Sequence, residues 1–195
     1  MRQFIIVGHK AVTSGDFSLD DMPGSAGRID ILARCVTAAF VTSFSIRRDT
    51  QVNLVLLGEP DPPKIIRFEG SELRYLNPDE RSAGALIKKA LRVKLGVGPR
   101  RSTRGVYVER AGLTEALRSS DASTLYYLHE NGKDVRDADL LANKVAFVLG
   151  DHLGLLEAEE AQLSQAQRIQ VGPIKLHTDQ CITLVHNELD RLCST

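Results

Sequence analysis

Two stretches near the C-terminus carry residue types that could hold a small ligand. Phe147-Val148-Leu149-Gly150-Asp151-His152-Leu153-Gly154-Leu155 sets two glycines at the end of a continuously apolar run. Val171-Gly172-Pro173-Ile174 repeats that character, and Leu176, His177 and Cys181 follow it. Ligands of open α/β sheets bind beyond the carboxyl ends of strands, where glycine lets them approach the main chain. With the Tyr126-Tyr127-Leu128 strand end, these turns would form one apolar pocket edged by backbone N–H and C=O groups. Such a pocket suits an adenosine-bearing molecule. The plainer reading of Gly150 and Gly154 is a tight strand-to-helix turn.

A second set of candidates lies in the N-terminal half. Arg28 and Asp30 open one helical pattern, and Asp79, Glu80 and Arg81 open another. Capping and the helix dipole account for the acids. A cation gains nothing there, so Arg28 and Arg81 are candidate phosphate or base ligands, with a salt bridge to a carboxylate as the equal alternative. Arg100, Arg101 and Arg104 form a short basic run.

Several chemistries are disfavoured. Neither G-x-x-x-x-G-K-[ST] nor G-x-G-x-x-G occurs, and Gly8-His9-Lys10 lacks the spacing of a phosphate loop. His177 and Cys181 can share a helix face, but His186 turns to the other side, and zinc needs three or four ligands. No metal is expected. Cys181 near a helix start could be activated, though cysteine on an apolar stripe is more often a small packing residue. Lys+Arg and Asp+Glu are equal at 25 each, which argues against dense non-specific nucleic-acid coating.

The elements that would position these residues alternate. Apolar runs at Phe4–Val7, Asn53–Leu57, Lys64–Phe68, Val106–Val108, Leu125–Leu128, Val145–Leu149 and Ile169–Val171 read as strands. Helical patterns cover Arg28–Ser45, Asn77–Leu95 with Asn77 as N-cap, Leu155–Gln167, and the last helix from Asp179. The alternation predicts an α/β fold with a mainly parallel sheet flanked by helices. Pro60-Asp61-Pro62-Pro63 and Asn131-Gly132 read as turns. Gly96–Gly105 is the candidate seam between halves 1–95 and 105–195, within one domain over 1–195. The start MRQFIIVGHK is not a signal peptide, no run would span a membrane, and three unpatterned cysteines favour the cytoplasm.

FVLGDHLGL and VGPIKLHTDQCITLVHNELDR, with MRQFIIVGHKA, GRIDILARCVTAAFVTSFSIR and IRFEGSELRYLNPDERSAGALIKKAL, resemble one family across the whole chain. It is the archaeal tRNA pseudouridine-54 N1-methyltransferases of the SPOUT class. The ribosome-assembly pseudouridine N1-methyltransferases are similar more distantly. The resemblance implies a deep C-terminal trefoil knot, an exception to un-knotted connections, whose loops hold S-adenosyl-L-methionine. It implies a homodimer acting on the tRNA T-arm. Leu128, Gly150, Val171, Gly172, Pro173, Ile174, Leu176 and Cys181 would line the cofactor pocket, the cysteine for packing. Asp30, then Asp79, are the candidate catalytic carboxylates. Arg28 and Arg81 would hold the base or flanking phosphates, and Arg100, Arg101 and Arg104 the RNA backbone. The alternatives are a methyltransferase of another RNA, such as rRNA, and a non-catalytic knotted RNA-binding factor.

Overall fold

The computed structural model describes residues 1–140 and 144–193. In chain order the elements are β1 (Arg2–Gly8), α1 (Met22–Ser25), α2 (Ile29–Phe40), β2 (Thr50–Leu56), β3 (Lys64–Glu69) and α3 (Glu80–Leu91). There follow β4 (Arg100–Thr103), β5 (Val106–Glu109), α4 (Leu113–Arg118), β6 (Thr124–Asp134), β7 (Val145–Gly150), α5 (Glu157–Glu160), β8 (Gln167–Gln170) and α6 (Thr178–Cys193).

The strands form one sheet in the order β4-β5-β3-β2-β1-β7-β6-β8. β2, β1, β7, β6 and β8 run parallel, while β3, β5 and β4 pair antiparallel. The expected mainly parallel sheet is therefore mixed. β1 joins its halves, pairing with β2 on one side and β7 on the other. Phe4 and Ile6 point into one core layer with α2, α3 and α6, and Ile5 and Val7 into another with α4. Both faces are covered, which is why the run is apolar at every position. Each of these side chains is fully buried, worth about 1.5–3 kcal/mol apiece.

Five local expectations change, the helix expected to Leu95 ending at Leu91. The first long helix ends at Phe40 rather than Ser45, because Val41 turns extended and bridges to Ile46. The Gly96–Gly105 seam contains β4, one of the two edge strands of the sheet. Leu155–Gln167 holds one α-helical turn followed by a 3-10 turn over Ala161–Leu163. Asn131-Gly132, expected as a turn after the strand, lies within β6: both Leu128 and Lys133 pair with Ile169, so residues 129–132 bulge out of it.

The last helix returns from the sheet edge to its middle. It packs on α2. Asp190 accepts hydrogen bonds from Arg2 and Arg47, and His186 donates from Nε2 to the Ala39 carbonyl at 3.0 Å. Burial, then the nearby Arg47 and Arg2 charges, push His186 down to about 3, so it stays neutral and accepts from Arg2 at Nδ1.

Candidate active site

The C-terminal ends of β6, β7 and β8 open onto a cavity of about 670 Å³, within the range of small-molecule sites. Its walls are residues 128–131 at the bulge of β6, the 149–155 turn after β7, the 169–176 segment after β8, and Thr178 and Cys181 at the start of α6. All eight residues expected around a cofactor, from Leu128 to Cys181, line it. Thr178 Oγ1 donates to the Gly150 carbonyl at 2.8 Å, tying α6 to the end of β7.

The glycines of the two turns are not alike. A Cβ on Gly150 would strike the Gly154 carbonyl at 2.1 Å, so the tight-turn reading explains that glycine. A Cβ on Gly172, like one on Gly154, would meet nothing within 4 Å. Its missing side chain leaves open space inside the cavity, as a site for a large adenosine-bearing ligand requires. Burial, reinforced by the Asp179 carboxylate, pushes the Cys181 thiol up. It is a protonated packing group.

A bridge of charges leads from this cavity to the starts of α2 and α3. Gly27 (φ 59°) lies against the Lys10 carbonyl, where a Cβ would clash, and Arg28 follows in the left-handed region (φ 71°). This turn aims Arg28 back over its own helix. Arg28 Nε and Nη2 each donate to Asp30 at 3.0 Å, and Arg34 Nη1 donates to Asp30 at 3.2 Å and to Glu80 at 3.3 Å. Arg34 Nε lies 3.8 Å from Asp179, whose Oδ1 is buried without a hydrogen bond. Asp30 is 2% exposed. Burial opposes its charge, but the Arg28 hydrogen bonds and both guanidinium charges outweigh that and hold its carboxyl below the ordinary value. The Arg28 side chain keeps 40% of its surface in solvent.

The other predicted residues sit elsewhere. Asp79, not Asn77, is the N-cap of α3, accepting from the Ser82 N–H at 2.7 Å. Arg81 pairs with Asp20. Asp79 and Arg81 line a second cavity, on the far side of the α3 start from Glu80 and Arg34. Arg100 and Arg101, on β4, and Arg104 are exposed at the opposite edge of the sheet from the first cavity. Six strand spacings separate β4 from β6, roughly 29 Å.

Sequence reasoning missed three groups. Arg34, four residues after Asp30, was legible as a helical ion pair. Asp179 gains meaning only from its contact with α2. His9, at the end of β1, lies between Asp151 (Nδ1, 3.3 Å) and Glu159 (Nε2, 2.9 Å). Carboxylates only accept, so both ring nitrogens donate. Burial works against the imidazolium, yet these bonds outweigh it and raise its pKa above 6.5.

A family profile described as "Putative SAM-dependent RNA methyltransferase" matches residues 1–193. The chain belongs to this family. The tRNA (pseudouridine(54)-N(1))-methyltransferase of Methanosarcina acetivorans is 58% identical over 193 residues, covering 98% of this chain and 92% of the relative. The enzyme of the same name from Methanocaldococcus jannaschii is 43% identical, covering 99% of each. Among solved structures, Archaeoglobus fulgidus Nep1 bound to S-adenosylhomocysteine superposes with a TM-score of 0.66 at 17% identity, over 100% of this chain and 98% of that one. That likeness is one of fold. Among the described residues no helix is long and apolar enough to cross a membrane, and no cluster of three His, Cys, Asp or Glu could hold a metal.

Proposed function

We propose that the protein transfers a methyl group from S-adenosylmethionine to N1 of pseudouridine 54 in the tRNA T-loop. The observation that carries this reading is the cavity beyond β6, β7 and β8, joined through Asp179 and Arg34 to Arg28 and Asp30, in a chain 58% identical to a relative named for that reaction. Gly150, Gly172 and the neighbouring main chain would hold the adenosine, with Leu128, Ile174, Leu176 and Cys181 packing on its apolar surfaces. When bound, the cofactor would supply an electrophilic methyl on a sulfonium: the N1–CH3 bond would form as the S–CH3 bond breaks, S-adenosylhomocysteine would leave, and the N1 proton would pass to solvent.

The chain's own residues do the rest. Arg28, exposed and fixed at two points, presents donors to the uracil carbonyls and orients the ring in line with the methyl. Asp30 is nearly inaccessible, so in this reading it acts through Arg28 and Arg34 rather than by touching the base. The target base leaves the loop stack to reach the site. The apolar rim of Leu153 and Ile174 is exposed in the single chain. That rim supports a homodimer with the site at the subunit interface.

We also propose that the C-terminus is threaded as a deep trefoil knot. β8 lies at the sheet edge, outside β6, yet α6 packs on α2, beyond β6 and β7. The chain over 170–178 therefore recrosses the ends of both strands. Val135 and Leu140, from the β6–β7 connection, share a core with Ile182 and Val185 of α6, as expected where a helix runs beneath that connection.

The test is methyl transfer from labelled S-adenosylmethionine to a T-arm stem-loop carrying pseudouridine or uridine at the target position. Label on the pseudouridine arm alone is expected. Label on neither, with cofactor binding intact, would refute the substrate assignment and favour another RNA.

A further inference from the structure

The second cavity encloses about 420 Å³. It lies between the start of α3 and β4, lined by Tyr75, Asn77, Arg81, Lys89 and Thr103 among others. Tyr75 is 72% exposed. It is also held at φ 66°, and Arg28 is the other non-glycine residue of the described chain with positive φ. A bulky residue in that region is a genuine outlier, and such outliers concentrate at functional sites. The Ser82 hydroxyl, donating to the Tyr75 carbonyl and accepting from the Asn77 N–H, helps keep the turn in this shape. The hydroxyl of Thr103 is buried in the wall without a hydrogen-bond partner.

The charge around this cavity is not that of the whole molecule. Residues 73–105 carry nine Lys and Arg against two Asp and Glu, in a chain whose net charge is zero. Arg74, Arg81, Lys89, Arg100, Arg101 and Arg104 are exposed. Asp79 is occupied as the helix cap, and Asp20 pairs with Arg81, leaving further guanidinium donors. An exposed aromatic ring within a one-sided basic surface is the composition that binds unpaired nucleic acid, through stacking and phosphate contacts.

Position adds the rest. The first turn of α3 separates the two centres: Glu80 contacts Arg34 on one side, while Asp79 and Arg81 line the cavity on the other. Resting on the methyltransferase reading above, we propose that the Tyr75 cavity binds one unpaired loop nucleotide of the substrate RNA, a neighbour of the one methylated. Its base stacks on the Tyr75 ring, and its flanking phosphates lie along Arg81 and Lys89. The basic β4 edge continues the track for the RNA backbone.

The experiment measures T-arm stem-loop binding by fluorescence anisotropy for the wild type, Tyr75→Ala and Tyr75→Phe, alongside the KM for that RNA. Tyr75→Ala is expected to weaken binding and raise KM about 10- to 100-fold, the loss of one stacked base, whereas Tyr75→Phe stays within about twofold. Affinity for S-adenosylhomocysteine is unchanged in both, which also reports an intact fold. 2-Aminopurine placed at successive loop positions is quenched at one of them in the wild type, and not in Tyr75→Ala. Wild-type binding by Tyr75→Ala, or an equal loss in Tyr75→Phe, overturns the proposal. Tyr75-dependent binding without methyl transfer refutes the proposed reaction and leaves the nucleotide site standing. No T-arm binding by the wild type overturns both.

Discussion

The cavity beyond β6, β7 and β8 is walled by strand ends and turns, whereas the centre at the starts of α2 and α3 is built from ionised side chains. In the first, shape does the selecting: strand ends, the 129–132 bulge and an absent side chain at Gly172 leave room for a ligand. In the second, Arg28, Asp30, Arg34 and Glu80 come from two helices and hold one another in register. A pocket shaped by turns tolerates polar changes around it but not new bulk. A charge cluster tolerates changes in volume but not the loss of a partner, because the remaining buried charge is left uncompensated. The two should therefore fail in different ways.

The largest expected effect is at Gly172. Gly172→Val fills the open space, and affinity for S-adenosylhomocysteine by calorimetry should fall about 100-fold, as roughly 3 kcal/mol of steric misfit implies. Thermal stability should not change, since a Cβ there meets no atom within 4 Å. A variant with wild-type affinity would show that this wall does not face the ligand.

Next is Asp30→Asn, which preserves volume and removes the charge holding Arg28 and Arg34. Chemical denaturation should report a loss of about 1–2 kcal/mol, and kcat/KM for the RNA should drop about 30-fold, the range for losing charge-assisted hydrogen bonds. Cofactor affinity should stay near wild type. If cofactor affinity fell equally, the two regions would be one unit and the contrast would break.

His9 tests the cavity side through pH. The imidazolium bridges Asp151 and Glu159, and its pKa is raised above the ordinary 6.5. The stabilisation it contributes is complete below 6.5 and is lost as pH rises through its folded-state pKa. Unfolding midpoints should decline over that window by the equivalent of about 1 kcal/mol. S-adenosylhomocysteine affinity should fall with them, because Asp151 begins the turn that walls the cavity. His9→Gln should flatten both profiles; an unaltered slope would assign the titration to another group.

The smallest effect is at Asp79. Asp79→Ala should cost about 1 kcal/mol of stability, and Asp79→Ser, another good cap, should restore most of it. Methyl transfer by Asp79→Ser should stay within about threefold of wild type, the scale of a small cap adjustment. A deficit as deep as that of Asp30→Asn would make Asp79 a participant in the chemistry.

Most strands were legible from continuous apolar runs, since a strand covered on both faces needs apolar residues at every position. The cavity was legible because glycines at strand ends mark it. Three features were not. β4 reads as a basic linker, because an edge strand with one side in solvent needs no apolar run. The 155–167 segment has helix-forming residues but closes into short turns around Glu159 and Leu163. His9 has no motif around it, since its partners lie 142 and 150 residues away.

Local residue order thus determined the α/β alternation, the glycine-marked strand ends and the acid-and-arginine starts of α2 and α3, because each depends on neighbours within a few positions. Tertiary structure decided which glycines face open space, that Asp30 is buried behind Arg28, and that Asp79 and Arg81, not Glu80, line a different cavity. It also decided that Asp179 reaches Arg34. Those outcomes depend on which helix crosses which strand end, and no spacing along the chain encodes a distance between elements that meet only after folding.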